Sequence, residues 1–127
     1  MSLDWYQDIK DFHKNVMLDR FDPRPHIPEE KYKKLRETLI KEEVKETLIA
    51  LENDDLIEIA DGIVDSIVVL LGTAVTYGID MRSIWDEVHK TNMAKADGEM
   101  RADGKRLKPD NWVPPNIKDL IDEQIYG

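Results

Sequence analysis

Residues 33 to 77 read KKLRETLIKEEVKETLIALENDDLIEIADGIVDSIVVLLGTAVTY, and this stretch decides the fold because it holds two long helical segments. In the first segment, Glu42, Glu43 and Glu46 stand at i, i+1 and i+4. This spacing brings their carboxylates to one side of a helix. Two nearby lysines leave a solvated helix face as the alternative interpretation of this cluster.

The second segment carries an acidic stripe on an otherwise apolar helix. Glu58, Asp61 and Asp65 fall at i, i+3 and i+7. The other faces carry Leu56, Ile59, Ile63, Val64, Ile67, Val68, Leu70, Leu71 and Val75. A helix that is apolar nearly all round is expected to be buried on several sides. We therefore expect Asp61 and Asp65 near or inside the core, where a bare carboxylate costs several kcal/mol.

Two acidic clusters in one interior require a positive group to meet them. A hard divalent cation with oxygen ligands would neutralise the negative charge of both clusters, with Mg²⁺ as the first choice and Mn²⁺ as the second. The residues alone therefore predict a metal centre built from carboxylates of two helices.

Length and composition limit the classes to which the chain can belong. The 127 residues support a single domain over 1–127, with no linker, repeat or low-complexity run. The formal net charge of −9 argues against binding to nucleic acid or to an anionic membrane. A bound metal would still admit a small anionic substrate. The absence of cysteine excludes disulfides and thiolate metal sites.

The N-terminal residues lack the basic and apolar regions of a secretory signal. The apolar run over 66–75 is too short to span a bilayer. We therefore expect a cytoplasmic protein without a membrane partner.

The first half of the chain is predicted to hold three helices. We expect the first over about 3–18, the second from about 28 to 52 after a proline-rich stretch, and the third up to Gly78. Asp54 or Asp55 is the expected N-cap of the third helix. The core side of the first helix is predicted to carry Trp5, Ile9, Phe12 and Val16. His13 is expected at the surface.

A fourth helix is predicted over about 81–93, with Ile84, Trp85 and Val88 packed inward. Asn116 is expected to cap a short C-terminal helix. No strand signal competes anywhere. The class is therefore all-α, with four main helices and a short C-terminal helix, and we expect the helices to mediate oligomerisation.

The segment over 94–116 is expected to be an irregular basic loop. It carries Lys95, Arg101, Lys105, Arg106 and Lys108 within a strongly acidic chain. Loops on rigid scaffolds commonly bind ligands, although a solvated surface loop fits the same composition. Just before it, His89 and Asn92 fall close to one helix face with Trp85, where ordinary contacts between helices are the alternative to ligand binding.

Several motifs together resemble the all-α NTP pyrophosphatases, the MazG-like superfamily. They are DFHKNV, LRETLIKEEVKE, DSIVVLLGTAVTYGID, IWDEVHKTNMAKADG and ADGKRLKPDNWVPP. The resemblance is closest to a branch related to phosphoribosyl-ATP pyrophosphohydrolase that includes a bacterial dUTP-cleaving enzyme. It implies that Glu43 and Glu46, the last two acids of EExxE, bind Mg²⁺, and that Glu42 is the base that activates water.

The second family motif, ExxD, is altered in this chain. Its aspartate corresponds to Asp65, but the position three residues earlier is Gly62 rather than glutamate. One solution keeps Asp65 as a ligand and lets Asp61 replace the missing glutamate. The other shifts the motif one turn earlier, to Glu58 and Asp61. We favour Asp61 with Asp65, because the downstream spacing then fits without a gap, and keep Glu58 as the alternative ligand.

The resemblance implies Mg²⁺-dependent hydrolysis of a nucleoside triphosphate, dUTP or another non-standard or deoxy nucleotide, to the monophosphate and pyrophosphate. Lys95, Lys105 and Lys108 are the expected phosphate ligands, and Trp85, His89 and Asn92 the expected nucleoside contacts. We expect a homodimer or a dimer of dimers. The alternatives are a regulator that binds nucleotide or metal without turnover and a di-iron bundle, for which only Asp86 and His89 supply the helical spacing.

Overall fold

The computed structural model describes residues 3–127, and the regular elements within that range are helices. They are α1 (Trp5–Asn15), α2 (Glu30–Glu52), α3 (Leu56–Thr76), α4 (Met81–Met93) and α5 (Ile117–Tyr126), with a short 3-10 helix at Ala94–Asp97. Residues 3–127 contain no strand, only an isolated antiparallel bridge between Met100 and Arg106. The prediction of an all-α protein with four main helices and a short C-terminal helix is confirmed.

The chain divides into two compact units. The first ends at Asp80 and the second covers Met81–Gly127. Unit 1 holds α1 to α3 and unit 2 holds α4 and α5. The prediction of one domain over 1–127 stays a prediction.

Local capping explains why the predicted starts of α3 and α5 hold, whereas α1 is shorter than predicted and ends at Asn15. Asp55 caps α3 by accepting from the Glu58 N–H at 3.1 Å. Asn116 caps α5 by accepting from the Asp119 N–H at 3.2 Å. Each bond satisfies a backbone donor that the first helical turn leaves unpaired. Each capping residue lies within a few residues of the N–H group that it accepts from, so these helix starts can be predicted from sequence alone.

The buried face of α1 differs from the predicted one. Trp5, Phe12 and Val16 are exposed, whereas Tyr6, Ile9 and His13 are buried, so only Ile9 was placed correctly. The face is rotated because His13 finds a polar partner: its Nδ1 lies 2.8 Å from Oδ2 of Asp19. The expectation that His13 lies at the surface is therefore wrong.

A second polar contact fixes α2 to α3. The buried Arg36 guanidinium donates to the Val69 carbonyl at 2.8 Å and to Thr73 Oγ1 at 3.1 Å. A Cβ atom on Gly72 would lie 2.6 Å from both Arg36 Nη2 and His13 Nε2, so a glycine is needed there. Burial lowers the pKa of Arg36, and the Asp19 carboxylate opposes that shift.

The expectation that α3 is buried on several sides is wrong for the single chain. Helices α1 and α2 pack against α3, yet Ile57, Val64 and Leu70 remain at least half exposed. Asp61 is exposed and Asp65 is only half-buried, so neither lies inside a core. Two helices, α1 and α2, do not cover all faces of a helix as apolar as α3.

Helix α3 is also long and apolar enough to cross a membrane, judged by length and composition alone. Within its 21 residues, a window of 18 residues has a mean hydropathy of 1.8. The apolar segment is longer than the predicted run over 66–75, because it begins at Leu56. Core helices of water-soluble proteins pass the same test, so this is weak support for a membrane span. Packing against α1 and α2 accounts for part of this composition, since 22% of the window is buried within the chain.

Candidate active site

Four carboxylates of unit 1 form two neighbouring pairs, one on α2 and one on α3. Glu43 interacts with Glu46, and Asp65 interacts with Asp61. Asp65 also interacts electrostatically with both glutamates across the helix interface. The fold therefore brings together the four residues that the sequence selected as metal ligands.

The pairs lie close enough to disturb each other's protonation. Burial, followed by repulsion from Glu46 and Asp65, raises the pKa of Glu43. Burial, followed by repulsion from Asp61, raises the pKa of Asp65. Both shifts mean that negative charge is costly here without a cation.

One oxygen of this cluster has no hydrogen-bond partner. Oε2 of Glu43 is buried and unpaired, and it is the only buried side-chain polar atom left so among residues 3–127. A buried oxygen without a partner costs free energy, so such atoms commonly mark a place that binds water or an ion. Four carboxylates with one orphaned oxygen form a donor set suited to a hard divalent cation.

The side chains, as placed, do not form a ready ligand shell. Within the described residues, no group of three or more Asp, Glu, His or Cys side chains stands close enough to hold one ion. Glu46 and Asp61 are exposed, so packing does not fix their rotamers. The carboxylate oxygens and the unpaired Oε2 of Glu43 still fit a divalent ion. The ion would be bound between the two carboxylate pairs rather than by a group of three side chains already in place.

A close helix crossing positions the two pairs. Gly62 is buried, and a Cβ atom there would lie 2.6 Å from Thr47 Oγ1. Thr47 Oγ1 donates to the Glu43 carbonyl at 2.8 Å and lies 3.2 Å from Ser66 Oγ. Small side chains thus let α2 and α3 approach beside Glu43 and Asp65. This packing also explains why no glutamate occupies position 62.

The other two acids of the predicted site have different settings. Glu42 is exposed on α2 and raises the pKa of Glu43 by repulsion, so it lies near the pairs. Glu58 is exposed in the first turn of α3, where its N–H bonds to Asp55. The acids that raise the pKa of Asp65 are Asp61 and Glu46. This arrangement matches the Asp61–Asp65 alternative, while metal binding by any of these residues stays a prediction.

In unit 2, two of the predicted substrate ligands, Lys95 and Lys108, lie at the ring of Trp112. The Nζ atoms of Lys95 and Lys108 lie 5.1 and 4.8 Å from its ring centroid. Lys95 also donates to Asn92 Oδ1 at 3.1 Å. Sequence reasoning missed Trp112, although an aromatic residue within a basic loop was the available signal.

The basic loop is more ordered than predicted. It starts with the 3-10 helix, and the Leu107 N–H donates to the Glu99 carbonyl at 2.7 Å across the Met100–Arg106 bridge. Lys105 is exposed at the turn that this pairing closes, and its carbonyl accepts from Arg101 at 2.7 Å. The fold therefore presents Lys105 to solvent.

The two remaining predicted contacts lie on α4. Trp85 is 70% exposed, so the prediction that it packs inward is wrong, whereas Ile84 is buried as predicted and Val88 is half-buried. The inward face of α4 is narrower than the predicted one because Trp85 directly follows Ile84 and points to another side of the helix. His89 is exposed as well. Trp85 and His89 remain predicted nucleoside contacts.

A sequence model of the family described as phosphoribosyl-ATP pyrophosphohydrolase matches residues 9–92, more than half of the chain. The chain belongs to the phosphoribosyl-ATP pyrophosphohydrolase family. This family is part of the MazG-like all-α NTP pyrophosphatase superfamily, so the protein is a nucleotide pyrophosphohydrolase. The match spans both carboxylate pairs and ends at Asn92. No match was found among the curated proteins.

Proposed function

We propose that this family member hydrolyses a nucleoside triphosphate to the monophosphate and pyrophosphate, with Mg²⁺ as cofactor and Mn²⁺ as a substitute. The observation that carries the proposal is the orphaned Oε2 of Glu43 within the paired carboxylates of α2 and α3. Family membership supplies the reaction class. The interacting carboxylates of α2 and α3 support the choice of residues.

Glu43, Glu46, Asp61 and Asp65 would hold the metal. Bound there, Mg²⁺ would neutralise phosphate charge and lower the pKa of water. The raised pKa values of Glu43 and Asp65 support this assignment, because a cation offsets both the burial and the repulsion that raise them.

Glu42 is the proposed general base. Its carboxylate takes a proton from water while the water oxygen forms a bond to the α-phosphorus. The bond between the α-phosphorus and the bridging oxygen breaks, and pyrophosphate departs with that oxygen. Glu42 suits this role because it is exposed and adjacent to a proposed ligand, Glu43.

The lysines of unit 2 are the proposed phosphate ligands. Lys95 and Lys108 lie together at Trp112, and Lys105 is exposed on the loop. Positive charge placed beside the departing pyrophosphate stabilises the negative charge that develops on it in the transition state. Asn92, His89 and Trp85 are the proposed nucleoside contacts. The dUTP preference rests on the resemblance of the motifs, and it extends to other non-standard or deoxy nucleotides.

We further propose that the enzyme is a cytoplasmic homodimer or dimer of dimers. The exposed apolar side chains of α2 and α3 support this proposal; they are Leu35, Val44, Leu48, Ile49, Leu51, Leu56, Ile57, Ile63, Val64 and Leu70. Apolar surface of this extent on two neighbouring helices favours an isologous helix interface. Light scattering on the purified protein tests it, and a monomer at micromolar concentration would contradict it.

A panel of nucleoside triphosphates tests the activity. Pyrophosphate release is measured with Mg²⁺, with Mn²⁺ and with chelator, using dUTP, the other deoxynucleotides and phosphoribosyl-ATP. We expect metal-dependent release that is fastest with dUTP or another deoxy or non-standard nucleotide. Binding of nucleotides without release of pyrophosphate from any of them would favour the non-catalytic alternative.

A further inference from the structure

Trp112 is fixed in unit 2 by contacts that sequence spacing does not reveal. Its Nε1–H donates to the Thr91 carbonyl at 2.6 Å, across 21 positions of sequence. Thr91 is itself buried in the last turn of α4. The Trp112 backbone N–H donates to the Pro109 carbonyl at 3.0 Å. These bonds fix both the backbone and the ring edge, so the indole is a rigid platform.

Two ammonium groups lie at this platform. Both Nζ atoms, of Lys95 and Lys108, are within 5.1 Å of the ring centroid. This distance lies inside the range of about 6 Å over which a cation is attracted to an aromatic face. Lys95 is held further by Asn92. Each ammonium group therefore gains a favourable contact with the same ring.

The two arginines of the loop are already engaged. Arg101 makes two bonds to Asp103, at 2.6 and 2.8 Å. Arg106 donates to the Gly98 carbonyl at 2.6 Å. Lys95 and Lys108 share the Trp112 ring as a neighbour. A contact with an aromatic face leaves N–H donors of an ammonium group available for a ligand. Two such groups at one ring suit an anion with several charged oxygens.

We propose that Trp112 is a positioning residue that holds Lys95 and Lys108 as a pair for the polyphosphate of the substrate and for the pyrophosphate product. The inference rests on the proposed function for its ligand. Its three residues all lie beyond the family match, which ends at residue 92.

The test measures binding of inorganic pyrophosphate by calorimetry, beside kcat and KM for the best nucleotide. Trp112→Leu should weaken pyrophosphate binding and lower kcat/KM for the nucleotide, each about two- to five-fold per lysine. Trp112→Phe retains an aromatic face and should recover part of the loss. Trp5→Leu, which removes an exposed tryptophan of unit 1, should change neither quantity.

A double-mutant cycle separates positioning from a merely structural role. Lys95→Ala should cost less pyrophosphate affinity in the Trp112→Leu background than in the wild type, and Lys108→Ala should behave alike. The proposal is overturned if the losses of pyrophosphate affinity from the tryptophan and lysine substitutions are additive, or if a helical Trp112→Leu variant binds pyrophosphate as tightly as the wild type.

If Trp112→Leu does not fold, the Trp112→Phe variant is measured instead. Because phenylalanine retains an aromatic face, a loss of pyrophosphate affinity as large as that from removing both lysines would overturn the proposal.

The same measurements distinguish this inference from the proposed function. An enzyme that turns over nucleotides but shows no coupling between Trp112 and the lysines contradicts only the positioning role. A protein that couples them in pyrophosphate binding but cleaves no nucleotide supports the positioning role and contradicts the proposed activity.

Discussion

A Cβ atom placed on Gly62 would stand 2.6 Å from Thr47 Oγ1 and 3.2 Å from Thr47 Cα, so α2 and α3 approach closely at this pair. Glu43 lies one helical turn before Thr47, and Asp65 lies one turn after Gly62. The crossing therefore sets the separation between the two carboxylate pairs. It also explains why this chain departs from the ExxD pattern: position 62 has room for a hydrogen atom only.

Gly62→Ala should destabilise the protein and weaken Mg²⁺ binding together. The added methyl group overpacks the crossing, at a cost of roughly 1–3 kcal/mol. Alanine gains up to about 1 kcal/mol in helix propensity over glycine, which offsets only part of that cost. Thermal melts and calorimetry with Mg²⁺ check both effects.

Gly62→Glu, which restores the ExxD spelling, should lose more stability than Gly62→Ala and should not improve metal binding. Ala60→Glu is its control, because residue 60 is exposed on the same helix. A stable Gly62→Glu variant with tighter Mg²⁺ binding would refute the role assigned to the crossing.

Glu46→Gln and Glu42→Gln should fail at different steps. Glu46→Gln removes a charged oxygen ligand, so we expect Mg²⁺ affinity and turnover to be lost while the helical circular dichroism signal is kept. Glu42→Gln should keep metal and substrate affinity and lose about 10²–10⁴-fold in kcat, because a base acts only in the chemical step. Calorimetry and steady-state kinetics separate the two outcomes.

Two results would revise these roles. Unchanged Mg²⁺ affinity in Glu46→Gln would remove Glu46 from the ligand set. Loss of metal binding in Glu42→Gln, with no separate defect in rate, would make Glu42 a ligand rather than a base.

Asp65→Asn and Asp61→Asn should each lose Mg²⁺ binding, yet raise the melting temperature of the metal-free protein by a few degrees. Each change removes one member of a repelling pair. Glu58→Gln should be nearly silent in both respects. Melts of the three variants with and without Mg²⁺ decide the register, and a silent Asp65→Asn with an inactive Glu58→Gln would favour Glu58 and Asp61 instead.

The raised pKa of Asp65 also fixes the sign of a pH effect. An acid whose pKa is higher in the folded than in the unfolded state binds protons more readily when folded. The metal-free protein should therefore lose stability as pH rises from the ordinary pKa of an aspartate through the raised one. Asp65→Asn should show a weaker dependence in that pH range, as measured by denaturant unfolding at several pH values.

Lys105→Ala should weaken binding of the triphosphate about five-fold and leave binding of the bare nucleoside unchanged. Because Lys105 is exposed, its contribution to the binding free energy is expected to be as small as that of a surface ion pair. Lys118→Ala is the matched control, since Lys118 pairs with Asp122 on α5. An equal loss for both ligands, or none, would make Lys105 an ordinary surface residue.

The helices and their ends could be predicted from sequence because their causes are local. Asp55 and Asn116 cap helices that begin at the next residue, and Gly78 follows the end of α3 with φ of +70°. The clustering of four carboxylates was predictable too, since helical spacing places Glu43 beside Glu46 and Asp61 beside Asp65.

What sequence reasoning missed depends on contacts between distant residues. The buried face of α1 is set by His13, which is satisfied by Asp19 and fits over Gly72. Trp112 escaped notice because its anchor is the Thr91 carbonyl. The burial of α3 was overestimated because apolar composition does not show how much of a helix is covered, and α1 and α2 cover only part of α3.

The central claim is that water attacks the α-phosphorus of a nucleoside triphosphate, which hydrolysis in ¹⁸O-labelled water tests most directly. The best substrate of the panel is cleaved with Mg²⁺, and both products are examined by mass spectrometry. We predict one ¹⁸O atom in the monophosphate and none in pyrophosphate, with the reaction slowed by Glu42→Gln but labelled in the same way. Label in pyrophosphate, or release of orthophosphate instead, would contradict the account.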